Sequence, residues 1–240
     1  MATATTSGSA KDLRDASVTN LNGHSALTVV VWIKSNSTST DRGFLYTKDT
    51  TPGDGDEGIC CRYDAVGASW GGSNKLKMAI ETTGGNQQLE SSDNTQTTNF
   101  QSVIWSWEST GLIELWLDGI LDDLATGGRN PARTGTTTDT SAVLMHRGFT
   151  DSSNCWNGTV YEIRIYNRKL AENEVFAIDT LRGSDGIRSG LIFQWHADAG
   201  APGTPATAVV DRSGNGNDGV NSGTVTYAED EVYTRKRRAA

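Results

Sequence analysis

Apolar residues in this chain recur mostly on the spacing of strands. The stretch 27–34 is a β-branched run from Leu27 to Lys34, bounded by His24-Ser25 and by Ser35-Asn36-Ser37. Such a run between polar turn residues predicts a buried strand. Further strands are expected over 43–46, 58–63, 75–80, 102–107, 113–117, 142–146 and 160–166. In the last of these, Val160, Glu162, Arg164 and Tyr166 alternate with Tyr161, Ile163 and Ile165. One set is expected on a core face and the other toward solvent. Only 169–182 carries a helical period, with Leu170, Val175, Ile178 and Leu181 on one stripe. Glu172 and Glu174 suit the positive end of its dipole, and Arg182-Gly183 supplies the stop.

Many short strands with turns between them predict an all-β sandwich or barrel. Composition narrows the organisation. The chain has 240 residues, 35% of them hydrophobic, and seven Trp, so a sizeable core is expected. Gly is frequent at 27 and Pro scarce at 4, which favours tight turns over linkers and a single domain. A net charge of −8 argues against nucleic acid as a partner. No stretch reaches the ~18 apolar residues of a membrane span, so no membrane partner is expected. The polar start lacks the basic and apolar regions of a signal peptide. Cys60, Cys61 and Cys155 make a poor disulfide framework and are expected as reduced thiols, with a Cys155 bridge to one of the pair left open. The sequons at Asn36 and Asn157 therefore carry little weight.

Four segments carry a resemblance. Residues 155–170, Cys155-Trp156-Asn157-Gly158 through Leu170, are similar to the closing strand of the concanavalin A-like, laminin G-like jelly-roll family. Residues 27–35 resemble its "l-t-v-s-a-W-i-K" strand. Residues 113–119 resemble its "l-x-l-Y-v-D-G" hairpin, with Trp116 where Tyr is usual. Residues 190–195, followed by the Asp211 to Gly219 run, resemble the segment that opens the fold, yet here it lies last. The resemblance implies a jelly-roll sandwich of two antiparallel sheets with one short helix, circularly permuted or completed from its C-terminal side. The implied organisation is a flexible arm over 1–10, one domain over 11–234 and a basic tail over 235–240. Within the domain, opening-type strands are expected over 190–227. The fold hosts lectins, glycosidases, adhesion modules and viral coat components, so function has to come from a site.

Catalysis is not expected. Glucanases of the family alternate acids along one strand, whereas here Trp116 separates Glu114 from Asp118, and Asp118 belongs to an Asp-Gly turn. Glu162 has Arg164 as its same-face neighbour, which reads as an exposed charge pair. His24, His146 and His196 have no metal or triad spacing. Two loops are candidate calcium sites: Asp211, Asn215, Asn217 and Asp218 in a glycine-rich run, and Asp54 with Asp56. The competing expectation is a turn in which Asp and Asn cap their own backbone. Trp32, Trp105, Trp107, Trp116 and Trp195 lie in strand runs and are expected in the core. Trp70 lies in a small polar loop and is the candidate sugar-stacking residue, with Asn74 beside it. Arg235, Lys236, Arg237 and Arg238 are candidate contacts to an acidic neighbour subunit.

Two functions are carried forward. The first is a non-catalytic virion structural protein, a bacteriophage capsid decoration or tail-associated subunit, with other virion subunits or copies of itself as partners. It would be made in a host cytoplasm. The alternative is an extracellular glycan-binding lectin module, with calcium as its conceivable cofactor.

Overall fold

The computed structural model describes residues 2–5, 13–15, 21–39, 42–47, 58–66, 73–122, 131–138, 143–145, 155–182, 184–196, 204, 208–221 and 225–228. One sheet contains β1 (Ala2–Thr5), β3 (Ala26–Ser35), β8 (Phe100–Glu108), β9 (Glu114–Leu117), β10 (Ile120–Leu121), β12 (Gly158–Tyr166), β13 (Leu191–His196) and β16 (Thr226–Ala228). Its order is β10-β9-β8-β3-β12-β1-β16, with β13 also paired to β12. The other contains β2 (Leu13–Asp15), β4 (Arg42–Tyr46), β5 (Ile59–Val66), β6 (Ser73–Thr82), β7 (Gly85–Glu90), β11 (Val143–Met145), β14 (Ala208–Val209) and β15 (Gly219–Asn221), in the order β14-β15-β2-β11-β4-β5-β6-β7. Neighbouring strands in both sheets are antiparallel. One helix, α1 (Glu172–Leu181), follows β12. This is the expected all-β sandwich.

The unbroken apolar run of β3 has a physical reason. Leu27, Val29, Val31 and Ile33 join the core between the sheets, with Trp105 and Trp107 from β8 and Cys61, Tyr63, Leu76 and Met78 from the other sheet. Val30 and Trp32 enter a second core with Ile104, Trp116, Tyr161 and Tyr166, which Val175 and Ile178 of α1 cover. A strand buried on both faces loses its period-2 alternation. The five Trp expected inside are all buried.

In β12 the alternation breaks. Its pairing with β3 slips between Val160 and Glu162, leaving Tyr161 as an extra residue. A bulge of this kind reverses the parity of the residues beyond it. Val160, Ile163 and Ile165 therefore all reach the inter-sheet core, while Tyr161, Glu162, Arg164 and Tyr166 face the helix layer. Both faces are buried, so the expectation of a solvent face is corrected. Gly158 opens β12 where a Cβ would stand 2.1 Å from the Lys34 carbonyl oxygen, so only glycine permits that approach.

The ends of the chain also differ from expectation. Ala2–Thr5, read as part of a free arm, pairs on one side with Val160, Thr159 and Gly158 and on the other with β16. Residues 6–10 lie outside the described residues. Strand β13 pairs antiparallel with the rest of β12, Ile163 opposite Trp195 and Ile165 opposite Phe193. The early and late segments thus lie end to end beside one strand. Helix α1 begins three residues later than its pattern suggested. The Arg168 guanidinium forks onto both Glu174 carboxylate oxygens at 2.7 Å, and the Ala171 amide donates to Glu174 at 3.0 Å. Leu181, expected on the buried stripe, is exposed, as is Phe176.

Candidate functional site

Residues 67–72, which separate β6 from β5 in sequence, lie outside the described residues, and β6 of the second sheet starts at Ser73. Asn74 there has φ 52° and Asn94 has φ 60°, the left-handed region that Asn tolerates better than most residues. The Asn74 side-chain amide donates to Asn94 Oδ1 at 3.3 Å. The polar run 91–96 after β7 is laced to β6 by paired bonds. Ser91 N–H donates to the Leu76 carbonyl at 2.9 Å, and Leu76 N–H donates to Ser91 Oγ at 2.9 Å. Gln96 N–H donates to the Asn74 carbonyl at 3.2 Å, and Gln96 Nε2 donates to the Lys75 carbonyl at 3.0 Å. Behind it, Tyr63 donates from the core to Gln101 at 2.7 Å, and burial pushes that phenol well above its ordinary pKa. A rigid edge therefore carries this rim.

Charge is arranged in one layer. Lys75 Nζ sits between Glu90 at 3.4 Å and Asp93 at 3.3 Å. Burial disfavours its ammonium, but the two carboxylates outweigh that and hold its pKa above the usual value. Lys77, fully buried, lies 3.7 Å from Glu90. Asp122 accepts from Ser92 N–H at 2.9 Å and from Ser92 Oγ at 2.7 Å. The Asp93 side chain is 63% exposed. Gln96 is buried, and its Oε1 has no hydrogen-bond partner, a position that ordinarily costs about 1–3 kcal/mol. Amides and carboxylates at this spacing suit a hydroxyl-rich ligand. Of the predicted pair, Asn74 stands on this rim, and Trp70 lies outside the described residues. Lys75, Asp93, Asn94 and Gln96 escaped sequence reasoning. The polar run beyond the 75–80 and 85–90 hairpin was the available signal.

The Asp211 loop uses its oxygens internally. Asp211 Oδ1 accepts from the amides of Gln194 at 3.1 Å and Ser213 at 2.9 Å. Its Oδ2 accepts from Ser213 Oγ at 2.7 Å and from Asn217 N–H and Nδ2, both at 3.1 Å. Asp218 takes the Asp211 amide at 2.8 Å, while the Asn215 amide reaches the Leu191 and Ile192 carbonyls. Hydrogens, not vacant lone pairs, converge on the carboxylate, so these residues do not fit a calcium ion without rearrangement. Among the described residues, no group of three or more His, Cys, Asp or Glu is placed to hold a metal. The loop latches the C-terminal segment onto β13. Asp54, Asp56, Arg235, Lys236, Arg237 and Arg238 lie outside the described residues.

Glu162 and Arg164, expected at the surface, are buried. Arg164 Nε donates to Glu162 at 2.6 Å, and Nη1 donates to both oxygens of Asp185 at 2.9 Å. Gln194 donates to Glu162 at 2.6 Å, and the guanidinium lies over the Trp32 ring at 5.4 Å. Burial opposes the charge on Arg164, but Glu162 and Asp185 outweigh it and raise its pKa further. The same pairing holds the Asp185 carboxyl below the ordinary range, against burial. Glu114 is an ion-pair partner of Lys169. Asp118 sits in the turn with Gly119, both at positive φ, as a two-residue hairpin requires. Burial first, then the charge of Asp179, raise the Asp118 pKa against the Ser102 amide it accepts from at 2.9 Å. Cys60, Cys61 and Cys155 are buried thiols outside any disulfide.

Comparison with known proteins places this geometry. The model of the concanavalin A-like lectin/glucanases superfamily matches residues 6–176. Among solved structures, a Bacteroides ovatus protein provisionally assigned to carbohydrate binding aligns with TM-score 0.61 and 16% identity, over 93% of this chain and 61% of that one. This chain thus spans less than two thirds of that protein's length. The native heptameric SAP-like pentraxin of Limulus polyphemus aligns with TM-score 0.55 and 14% identity, over 93% and 96% of the two chains. No curated protein matches the sequence. At these identities the solved structures speak to fold alone, and the two-sheet architecture agrees with the family match. The chain belongs to the concanavalin A-like lectin/glucanase superfamily.

Proposed function

We propose that this protein is a non-catalytic glycan-binding module whose sugar site is the rim at the start of β6. The observation that carries the reading is Asn74, held in a left-handed turn on a rigid edge beside Asn94 and Asp93. Residues 67–72, which include Trp70, precede it in sequence. A sugar bound on an aromatic face needs its hydroxyls met by amides and carboxylates such as these. Support also comes from the carbohydrate-binding role provisionally given to the Bacteroides protein. The acids weighed for catalysis are engaged elsewhere: Glu162 with Arg164, and Glu114 with Lys169. The virion-subunit expectation drew on the terminal segments. Residues 2–5 are committed to the sheet, and the basic tail lies outside the described residues.

A glycan array with the wild-type chain, Trp70→Ala and Asn74→Ala tests this. Binding to a defined sugar class is expected, lost in Trp70→Ala and weakened about five- to tenfold in Asn74→Ala by the loss of a hydrogen bond to ligand. An array with no signal above background would overturn the proposal.

A further inference from the structure

We infer that this rim, on its reading as a glycan site, selects uncharged, hydroxyl-donating sugars and rejects anionic ones. The charges on it decide the sign. Glu90, Asp93 and Asp122 are matched by the two ammoniums of Lys75 and Lys77 and by Arg62, buried opposite Lys77 on β5, so exposure and not number decides. None of the three cations is presented to a ligand. Lys77 is fully buried beside Glu90, and Lys75 is 17% exposed and spanned by Glu90 and Asp93. The outermost charge is the Asp93 carboxylate at 63% exposure. A sialic acid, uronic acid or sulfated sugar arriving here would set acceptor against acceptor and charge against like charge.

The hydrogen-bonding inventory points the same way. Asp93 accepts only, since an ionised carboxylate has no proton to give. Gln96 has both its N–H and its Nε2 committed to β6 carbonyls, which leaves Oε1 as an acceptor with no partner. An acceptor as exposed as Asp93 is satisfied by a ligand that offers hydroxyl donors, as a neutral pyranose does, whereas the Gln96 acceptor is enclosed by the protein. A site built to receive donors discriminates strongly against a ligand that lacks them. Asp93 is thus the specificity residue.

The test uses the full chain and an array of matched pairs: lactose with sialyllactose, N-acetylglucosamine with its 6-sulfate, and cellobiose with an acidic disaccharide that contains glucuronate. Calorimetric titration is then run on the best pair. The neutral member of each bound pair should win. Asp93→Lys should shift the neutral-to-anionic ratio about five- to tenfold toward the anion, an effect that shrinks as salt is raised. Asp93→Asn should shift it less. An unchanged melting temperature in the exposed Asp93 variants keeps the result interpretable. Preference for the anionic member, or a ratio that Asp93→Lys does not move, would overturn the selectivity while leaving glycan binding intact. Failure to bind any glycan would overturn both readings together.

Discussion

Two polar clusters stand on strands of this sandwich, and they differ in how completely their charges are paired and enclosed. Around Arg164, each charge meets its opposite: Glu162 at 2.6 Å, Asp185 at 2.9 Å, with Gln194 bonded to Glu162 and Trp32 beneath the guanidinium. Around Asn74, the charges are paired on one side only. Asp93 faces outward, and Gln96 keeps a buried acceptor without a partner. The first cluster joins β12 to β13 and to the connector after α1, so its bonds are spent on the fold. The second hangs on a rigid edge and retains capacity for something else. A cluster whose charges are paired inside the fold reads as scaffold, and one that turns a carboxylate to solvent on a supported rim reads as recognition.

The most severe challenge to this contrast is to remove the late segment. Deleting residues 190–240 takes away β13 and the Asp211 latch and bares the edge of β12 along Glu162 to Tyr166. An aggregating product without a cooperative melt is expected. A sharp, unshifted transition would show the segment to be an accessory. Next in size is Arg164→Ala, which strands two carboxylates in the interior and should cost about 3–5 kcal/mol by chemical denaturation. A loss under about 1 kcal/mol, the worth of an exposed pair, would place that network with the rim, not with the scaffold.

Acid separates the two clusters further. Asp185 and Glu174 both have folded pKa values below their unfolded ones. Their contribution is present above the ordinary carboxylate range and is lost as pH falls through the folded values. The melting temperature should therefore drop steeply below about pH 4, where ordinary carboxylates protonate, and less steeply in Asp185→Asn. Asp118 has the opposite sign. Its raised pKa means that its stabilising form is the protonated one, lost as pH rises through the folded value. Asp118→Asn, which can keep the turn and the bond to Ser102, should raise stability at pH 7 by a few tenths of a kcal/mol after allowance for solvent screening. Asn74→Ala, which puts Ala at a left-handed position, should cost about 1 kcal/mol. Smallest of all, Asp93→Asn should move stability by less than about 0.5 kcal/mol, as surface changes do, while each alters ligand binding.

Legibility in the sequence divides along the same line. The strand runs, the Asp118-Gly119 hairpin, the helix and the buried tryptophans were readable because period, turn chemistry and bulk are local properties. The two-sided burial of β12 was not, because one extra residue at Tyr161 reverses parity without any mark in composition. Nor was the burial of Glu162 and Arg164, since their partners Asp185 and Gln194 lie about 20–30 positions away and meet them only through the β12–β13 pairing. At the rim, Asn74 was found from its neighbourhood to Trp70. Asp93 and Gln96 required knowing that 91–96 folds back on β6.

The shared lane beside β12 has a consequence for synthesis. While the chain is being made, β1 is already available when Gly158 to Val160 emerge, so that half of β12 can be zipped at once. The half from Glu162 to Tyr166 waits for Leu191–His196, and Arg164 waits with it for Asp185. At a translation rate of roughly 5–20 residues per second, this strand spends a second or more half-clad. Arrested nascent chains that expose residues up to about 185 should be cut by protease within β12, and chains that expose residue 220 should resist. The ribosome, in effect, holds the last stave of this sandwich until the rest has been set.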